Sequence, residues 1–254
     1  MDPTPLAPTL IPTHAPTEIP IPDGFVEYVT QSGDTLPVIA AHFGVKSEDI
    51  ISNRALPATT ILDAGTTLLI PDLLGETTPS DLLLPDAAVV FSPEAIDFDI
   101  QIFADEQGGH LSTYTELMTR GTTPGSEIIK QLSVEHSINP RLMVALIESE
   151  SGWVRGVPEA REQSLYPFGY IRSDRGGMYQ QTGWAIRQLT EGYYGWRSGT
   201  LTELTFPDGT TLRLSPSLNA GTVAVLNFFA GLHDREEWQD IVFGKNGIAP
   251  IYSD

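Results

Sequence analysis

This sequence of 254 residues contains no cysteine, few basic side chains and no long apolar run. The absence of cysteine excludes disulfides, thiolate nucleophiles and cysteine-ligated metal sites. Lys and Arg number 14 against 33 Asp and Glu, and the formal net charge of -19 is opposite in sign to that of nucleic-acid and anionic-lipid binders. Apolar runs such as 142–147 are far too short to cross a bilayer. We therefore expect neither nucleic-acid binding nor a membrane span within this sequence.

Metal and nucleotide chemistry are also poorly represented. The five histidines show no spacing typical of a metal site, and no carboxylate or cysteine pattern completes one. The paired glycines at 108–109 and 176–177 belong to no phosphate-binding pattern. We expect no metal and no cofactor.

The N-terminal segment 1–24 is dominated by proline and threonine. Its first 22 residues hold seven prolines and four threonines without a periodic apolar face, which favours an extended spacer over packed structure. We interpret it as a stalk, of the kind found outside a membrane anchor or after a cleaved leader. The expected location is extracytoplasmic, with the protein secreted or anchored by a segment absent from this sequence.

Residues 25–72 form a small pattern of strand, helix, helix and strand. A β-prone run precedes the turn at 31–34, and a helix with Pro37 in its first turn ends at Gly44. Ser47 is expected to cap a second short helix, and a strand over 67–70 ends at Pro71. So small a core suits a binding module better than an enzyme.

The same residues resemble the LysM domain. The resemblance rests on Tyr28, Val29, Gly33, Asp34, Thr35, Leu36, Ile39, Ala40, Phe43, Gly44, Val45, Ile50, Asn53, Leu62, Gly65, Leu68, Ile70 and Pro71. It implies binding of N-acetylglucosamine-containing glycans, peptidoglycan or chitin oligomers, between the loop after the first strand and the loop before the second. The implied contacts are Gly33, Asp34, Thr35, Leu36, Ile61 and Leu62. For Leu36 and Leu62, a role in the domain core is an equally good interpretation.

A Pro- and Gly-punctuated linker is expected at 73–92, followed by a larger module at 93–254. Two helices are predicted there, one starting near Ser126 and one running from Pro140 to about Ser149. The second helix is apolar nearly all round, so we expect it in the centre of the module. A strand-like stretch over 201–214 with Asp208-Gly209 at its middle predicts a β-hairpin.

Two glutamates, Glu148 and Glu150, end the apolar helix. Burial raises the pKa of a carboxyl group, and such a group can act as the general acid that glycosidic cleavage needs. At roughly 3.6 residues per turn, Glu150 lies about 80° from Leu142, near the edge of the buried face. Taken by position alone, either glutamate would more often be an exposed residue at a helix end.

Three motifs in this module resemble soluble lytic transglycosylases and goose-type lysozymes. They are the stretch 138–147 leading to Glu150, Ser151, Gly152 and Trp153, the segment Gly177-Met178-Tyr179-Gln180, and the triplet Asn219-Ala220-Gly221. The resemblance implies a catalytic Glu150 acting as both acid and base, with Ser151, Tyr179, Gln180 and Asn219 contacting substrate. The sequence departs from that family at Tyr179, at Ala185 and Ile186, and at Leu218. The span between Glu150 and Gly177, which includes 166–170, also lacks the Ser-x-x-Gly-Ala pattern of that family.

We therefore expect an α+β protein, a LysM module joined to a mainly helical lysozyme-like domain with a small β-hairpin insertion. The expected function is cleavage of the glycan strand between N-acetylmuramic acid and N-acetylglucosamine by a monomeric enzyme. If a second carboxylate takes part, the candidates are Glu159, Glu162 and Asp174. The alternative is a non-catalytic peptidoglycan- or chitin-binding protein with a degenerate cleft, which a cleft filled by 166–170 would favour. A peptidase or amidase, the third possibility, would need cysteine or metal ligands that the sequence lacks.

Overall fold

The computed structural model describes residues 21–254, apart from the side chain of Glu94. Most of the predicted stalk, residues 1–20, lies outside the described residues. The fold is α+β, with helices and three separate two-stranded antiparallel sheets. In chain order the elements are β1 (Phe25–Val29), α1 (Leu36–Phe43), β2 (Thr67–Pro71), α2 (Asp86–Val89), α3 (Ile100–Gln107), β3 (Thr115–Met118), β4 (Gly121–Pro124), α4 (Gly125–Glu135), α5 (Pro140–Ser151), α6 (Arg161–Leu165), α7 (Met178–Ser198), β5 (Glu203–Thr205), β6 (Thr211–Arg213), α8 (Ala220–Ala230), α9 (Arg235–Phe243) and α10 (Ile248–Ser253).

The N-terminal module follows the predicted strand and helix pattern closely. Strands β1 and β2 pair antiparallel, with Tyr28 opposite Leu68. Helix α1 has proline in its first turn and ends at Gly44 in the left-handed conformation, with φ of 66°. The predicted second helix is only a single 3₁₀ turn, Ser47–Asp49. Three residues with an exposed outer face bury too little apolar surface to extend that turn into an α-helix.

The segment between the two modules is packed against the second module. Leu84, Ala88 and Val89 are buried in its core. Asp86 at the start of α2 accepts hydrogen bonds from the Asn219 amide at 3.0 Å and from Gly221 N–H at 2.8 Å. The predicted linker 73–92 therefore contributes a helix and core residues to its neighbour.

Helix α5 lies in the centre of the second module, as its composition predicts. Leu142, Met143, Leu146 and Ile147 are fully buried. The long helix α7 packs along α8, and their close approach depends on Gly192, where an added Cβ would lie 2.7 Å from Cα of Ala224.

Two hairpins complete the second module. The predicted one forms β5 and β6, with Gly209 at φ of 84° in its turn. The other, β3 and β4, was not predicted, because its short strands carry threonine and glycine with little alternation of apolar side chains.

The two modules touch through the end of α1. The imidazole of His42 stacks on Trp196, with 3.5 Å between ring centroids and 8° between planes, and its Nε2 lies 2.9 Å from the Trp196 carbonyl oxygen. The guanidinium of Arg213 donates to the carbonyl oxygens of Ala41 and His42. A cation at the last turn of a helix satisfies carbonyls that have no partner in the helix.

Candidate functional site

Glu150 lies in the last turn of α5, which ends at Gly152 in the left-handed conformation. Its side chain is only 5% exposed. The pattern of apolar residues thus placed this glutamate correctly at the buried side of the helix.

The partner of Glu150 is a histidine. Nε2 of His233 lies 3.0 Å from Oε1 and 3.2 Å from Oε2 of Glu150, and its Nδ1 lies 3.2 Å from Oε2 of Glu237. Sequence reasoning missed both His233 and Glu237. His233 is 83 residues away from Glu150, and only the packing of the turn after α8 against α5 brings them together.

Burial and pairing act in opposite directions on these groups. Burial raises the pKa of Glu150, while the hydrogen bond and the charge of His233 oppose that rise. Burial lowers the pKa of His233, but hydrogen bonds and charges from Glu150 and Glu237 outweigh it, so the net pKa is raised. The net effect is a raised pKa for the Glu150 carboxyl group, both of whose oxygens lie within hydrogen-bonding distance of the His233 imidazole.

The segment 166–170 covers Glu150. A Cβ added at Gly169 would lie 2.3 Å from Oε2 of Glu150, so backbone closes directly over the carboxyl group. The hydroxyl of Ser151, predicted to contact substrate, donates to the carbonyl oxygens of Ile147 and Pro167. Phe168 is fully buried and its N–H donates to the amide oxygen of Gln181. The backbone of this segment and the His233 imidazole therefore lie directly against the carboxyl group of Glu150.

Glu148, the other glutamate of α5, has a role in the backbone turn. Its Oε2 accepts hydrogen bonds from the N–H groups of Val154 at 3.0 Å and Arg155 at 3.2 Å. These bonds satisfy backbone donors just beyond the helix end.

The other predicted site residues do not gather around Glu150. Tyr179 and Gln180 line two adjoining pockets on α7, neither of which Glu150 lines. Asn219 is the N-cap of α8 and lines a separate pocket where the two modules meet. The three candidate second carboxylates are exposed at the surface: Glu159, Glu162 and Asp174.

The predicted glycan-binding loops of the N-terminal module do come together. Thr35 forms a β-bridge with Ile61, and Leu62 N–H donates to the Asp34 carbonyl oxygen at 2.8 Å. The Asp34 carboxylate accepts from the Tyr28 hydroxyl at 2.8 Å and from Gln31 N–H at 2.7 Å, which fixes the turn in which Gly33 has φ of 92°.

Apolar side chains in these loops divide between core and surface. Leu36 and Leu62 are 8% and 4% exposed and belong to the core of the module. Ile61 is 67% exposed and is the apolar side chain that this pair of loops offers to a ligand.

Comparison with protein families identifies both modules. Residues 28–71 match the LysM domain, and residues 82–252 match the family described as LasA, N-terminal domain. Because the second match covers more than half of the sequence, the chain belongs to the LasA N-terminal domain family, with a LysM domain preceding it. No curated protein and no solved structure matches the chain.

These matches support peptidoglycan or carbohydrate binding and point to a cell-wall-related protein. LysM domains bind peptidoglycan and chitin-type glycans, and both kinds of domain are typical of extracellular cell-wall proteins. Within residues 21–254, no helix is long and apolar enough to cross a membrane. The family matched by the second module is not the lytic transglycosylase family, so cleavage of the glycan stays a prediction.

Proposed function

We propose that this protein binds peptidoglycan in the cell wall and that its LysM module supplies the primary attachment. The observation that carries the proposal is the pair of loops joined by the Thr35–Ile61 bridge, with the Ile61 side chain 67% exposed. Sugar recognition combines apolar contact to a ring face with hydrogen bonds to hydroxyl and acetamido groups, and backbone N–H and C=O groups supply the latter here.

Binding to a soluble N-acetylglucosamine oligomer, measured by calorimetry, tests this proposal. We expect Ile61→Ser to weaken binding about tenfold, because about 50 Å² of lost apolar contact corresponds to about 1.3 kcal/mol. Ile96→Ser is the matched control, since Ile96 is 66% exposed and lies outside the LysM module. Equal affinity of the parent protein, Ile61→Ser and Ile96→Ser for the oligomer would refute the proposed binding surface.

The second candidate function is glycan cleavage through Glu150, as a lytic transglycosylase or muramidase. Its support is the raised pKa of a carboxyl group buried at the end of an apolar helix. A general acid must come within hydrogen-bonding reach of the leaving oxygen, and segment 166–170 and His233 occupy that space. Cleavage would therefore require this segment to move, and we favour the binding function.

Digestion of purified peptidoglycan by the parent protein and by Glu150→Gln separates the two candidates. Mass spectrometry of the soluble products identifies 1,6-anhydro-muropeptides from a transglycosylase and reducing-end muropeptides from a hydrolase. We expect neither protein to release either product while both sediment with the sacculi. Products from the parent protein alone would establish catalysis by Glu150.

A further inference from the structure

We infer that the LasA-type module has a second binding site, a groove that takes the carboxylate-rich stem peptide attached to N-acetylmuramic acid. The inference rests on the proposed peptidoglycan binding. The groove consists of two adjoining pockets, which share Leu132, Tyr179 and Gln180. It lies between the β3–β4 hairpin, α4 and the first half of α7, and we call it the arginine groove.

The arginine groove reverses the charge of the rest of the protein. Its lining includes Arg120, Arg175, Arg187 and His136, and the lining of the two pockets contains one carboxylate, Glu116. Over the whole sequence, acidic residues outnumber basic ones by 33 to 14. A local excess of cationic groups in so acidic a protein directs anionic ligands to this surface.

Glu116 is already engaged by the fold. Its Oε2 accepts hydrogen bonds from Tyr179 N–H and from the Tyr114 hydroxyl, both at 3.2 Å. Tyr179 N–H belongs to the first turn of α7, where backbone donors have no partner within the helix. The carboxylate thus serves the end of the helix, and the acidic partners of Arg175 and Arg187 lie outside the lining of the groove.

Two of the arginines have partners at the surface. The Arg175 guanidinium donates to the amide oxygen of Gln180 at 3.2 Å, and Arg175 and Arg187 each form an exposed ion pair. Arg187 and Glu191 are 3.8 Å apart, and Arg175 and Asp174 are 3.5 Å apart, with every one of these side chains at least half exposed. Exposed pairs of this kind contribute about 0 to 1 kcal/mol and exchange readily for a better acceptor. Arg120 has no ion-pair partner among residues 21–254.

The layout of the groove favours a peptide over a single phosphate group. Arg120 lies in the larger pocket and the other two arginines lie in the smaller one, so the cations are spread along an elongated surface. Guanidinium groups match planar carboxylates, which an acidic peptide presents at intervals. The β3–β4 hairpin has only two strands, and its outer edges offer backbone groups to an extended chain.

Aromatic side chains add a surface for the sugar that carries the peptide. Tyr179 is 42% exposed and offers its ring to a ligand. Beside it, Tyr170 is stacked on the buried Trp184 with 4.4 Å between centroids, and the Arg172 guanidinium lies 5.9 Å from the Tyr170 ring centroid. An aromatic face next to a cationic groove fits a ligand with a sugar ring and a carboxylate-bearing arm.

The test compares three probes on the full chain by calorimetry: a disaccharide muropeptide with its tetrapeptide stem, an N-acetylglucosamine tetramer, and inorganic polyphosphate. The variants are the double substitution Arg175→Gln with Arg187→Gln, and Arg120→Gln. Arg161→Gln is the control, because Arg161 is exposed on α6 outside the groove. Circular dichroism checks that every variant is folded.

We expect the double variant to bind the muropeptide about tenfold more weakly, equivalent to about 1.4 kcal/mol, with Arg120→Gln reducing affinity about threefold. Binding of the tetramer should not change, because that probe has no carboxylate and uses the LysM loops. Unchanged muropeptide binding in the double variant overturns the inference, and so does polyphosphate binding as tight as that of the muropeptide. If the parent protein does not bind the tetramer at all, the LysM proposal is refuted separately, because binding of that probe does not depend on the arginines.

Discussion

Acid should weaken the protein through His42, the histidine stacked on Trp196 between the two modules. Burial lowers the pKa of His42 from 6.5 to about 4, with Arg213 acting in the same direction and Asp34 and the Trp196 carbonyl opposing it. Because the folded pKa lies below the unfolded one, this contribution to stability is complete above the unfolded value and is lost as the pH falls toward the folded value. The difference between the folded and unfolded pKa of His42 corresponds to about 3 kcal/mol of unfolding free energy in full. Between about pH 7.5 and about pH 4.5, the loss of unfolding free energy is about 2.5 kcal/mol.

Urea unfolding followed by tryptophan fluorescence at several pH values measures this effect. His42→Gln keeps an amide donor for the Trp196 carbonyl oxygen but does not titrate, so it serves as the reference. We expect the unfolding free energy of the parent protein to fall by about 2.5 kcal/mol more than that of His42→Gln over that pH range. Both proteins carry the same carboxylates, so the effect of carboxylate titration cancels in this comparison. Parallel loss of stability in the two proteins would refute the reasoning.

Three further perturbations test the surroundings of Glu150 and the cap of α8. Gly169→Ala should destabilise the protein by about 2 to 4 kcal/mol in thermal or urea unfolding, because the new methyl group meets Oε2 of Glu150 at 2.3 Å and φ is +76°. Asn219→Ala should cost about 1 to 2 kcal/mol in the same assays, since it removes the helix cap and the bond to Asp86. His233→Gln should flatten the fall in stability above about pH 6.5, because the raised pKa of His233 makes its contribution complete below its unfolded value of 6.5 and lost as the pH rises through the folded value.

Each of these perturbations has a result that would contradict it. Gly65→Ala is the control for Gly169→Ala, because Gly65 has φ of +82° but no atom within 4 Å of the new Cβ, and equal losses would rule out the steric cause. A stable Asn219→Ala protein would mean that backbone bonds alone hold α8. Parallel profiles of stability above about pH 6.5 for the parent protein and His233→Gln would exclude the pairing of His233 with Glu150 as the source of this pH dependence.

Local signals predicted the elements that depend on local chemistry. Pro37 and Gly44 bracket α1, Pro140 and Gly152 bracket α5, and Asp208-Gly209 forms the predicted hairpin turn. Each of these residues acts through its own backbone preference, which the sequence displays directly. The short 3₁₀ turn at 47–49 and the β3–β4 hairpin depend instead on how much surface their neighbours bury, and that is a property of the tertiary fold.

The candidate site was predictable only in part for the same reason. The apolar run before Glu150 indicated its burial, but nothing in the sequence links it to His233 or to Gly169. The arginine groove could not be predicted from the sequence either, because its three arginines come from the β3–β4 turn, the loop before α7 and the middle of α7. Neither periodicity nor spacing reports which distant segments will share a surface.

The stacked His42 and Trp196, together with Arg213 across the same contact, leave little freedom between the LysM module and its neighbour. Two binding sites in a fixed arrangement, the LysM loops and the arginine groove, can act together only where the wall presents both ligands at the matching separation. Two modules joined by a flexible linker would tolerate many separations. The avidity of such a protein for a sacculus would depend on the density of uncrosslinked stems along the glycan. Growing or partly digested wall would then be bound more tightly than mature, crosslinked wall of the same composition.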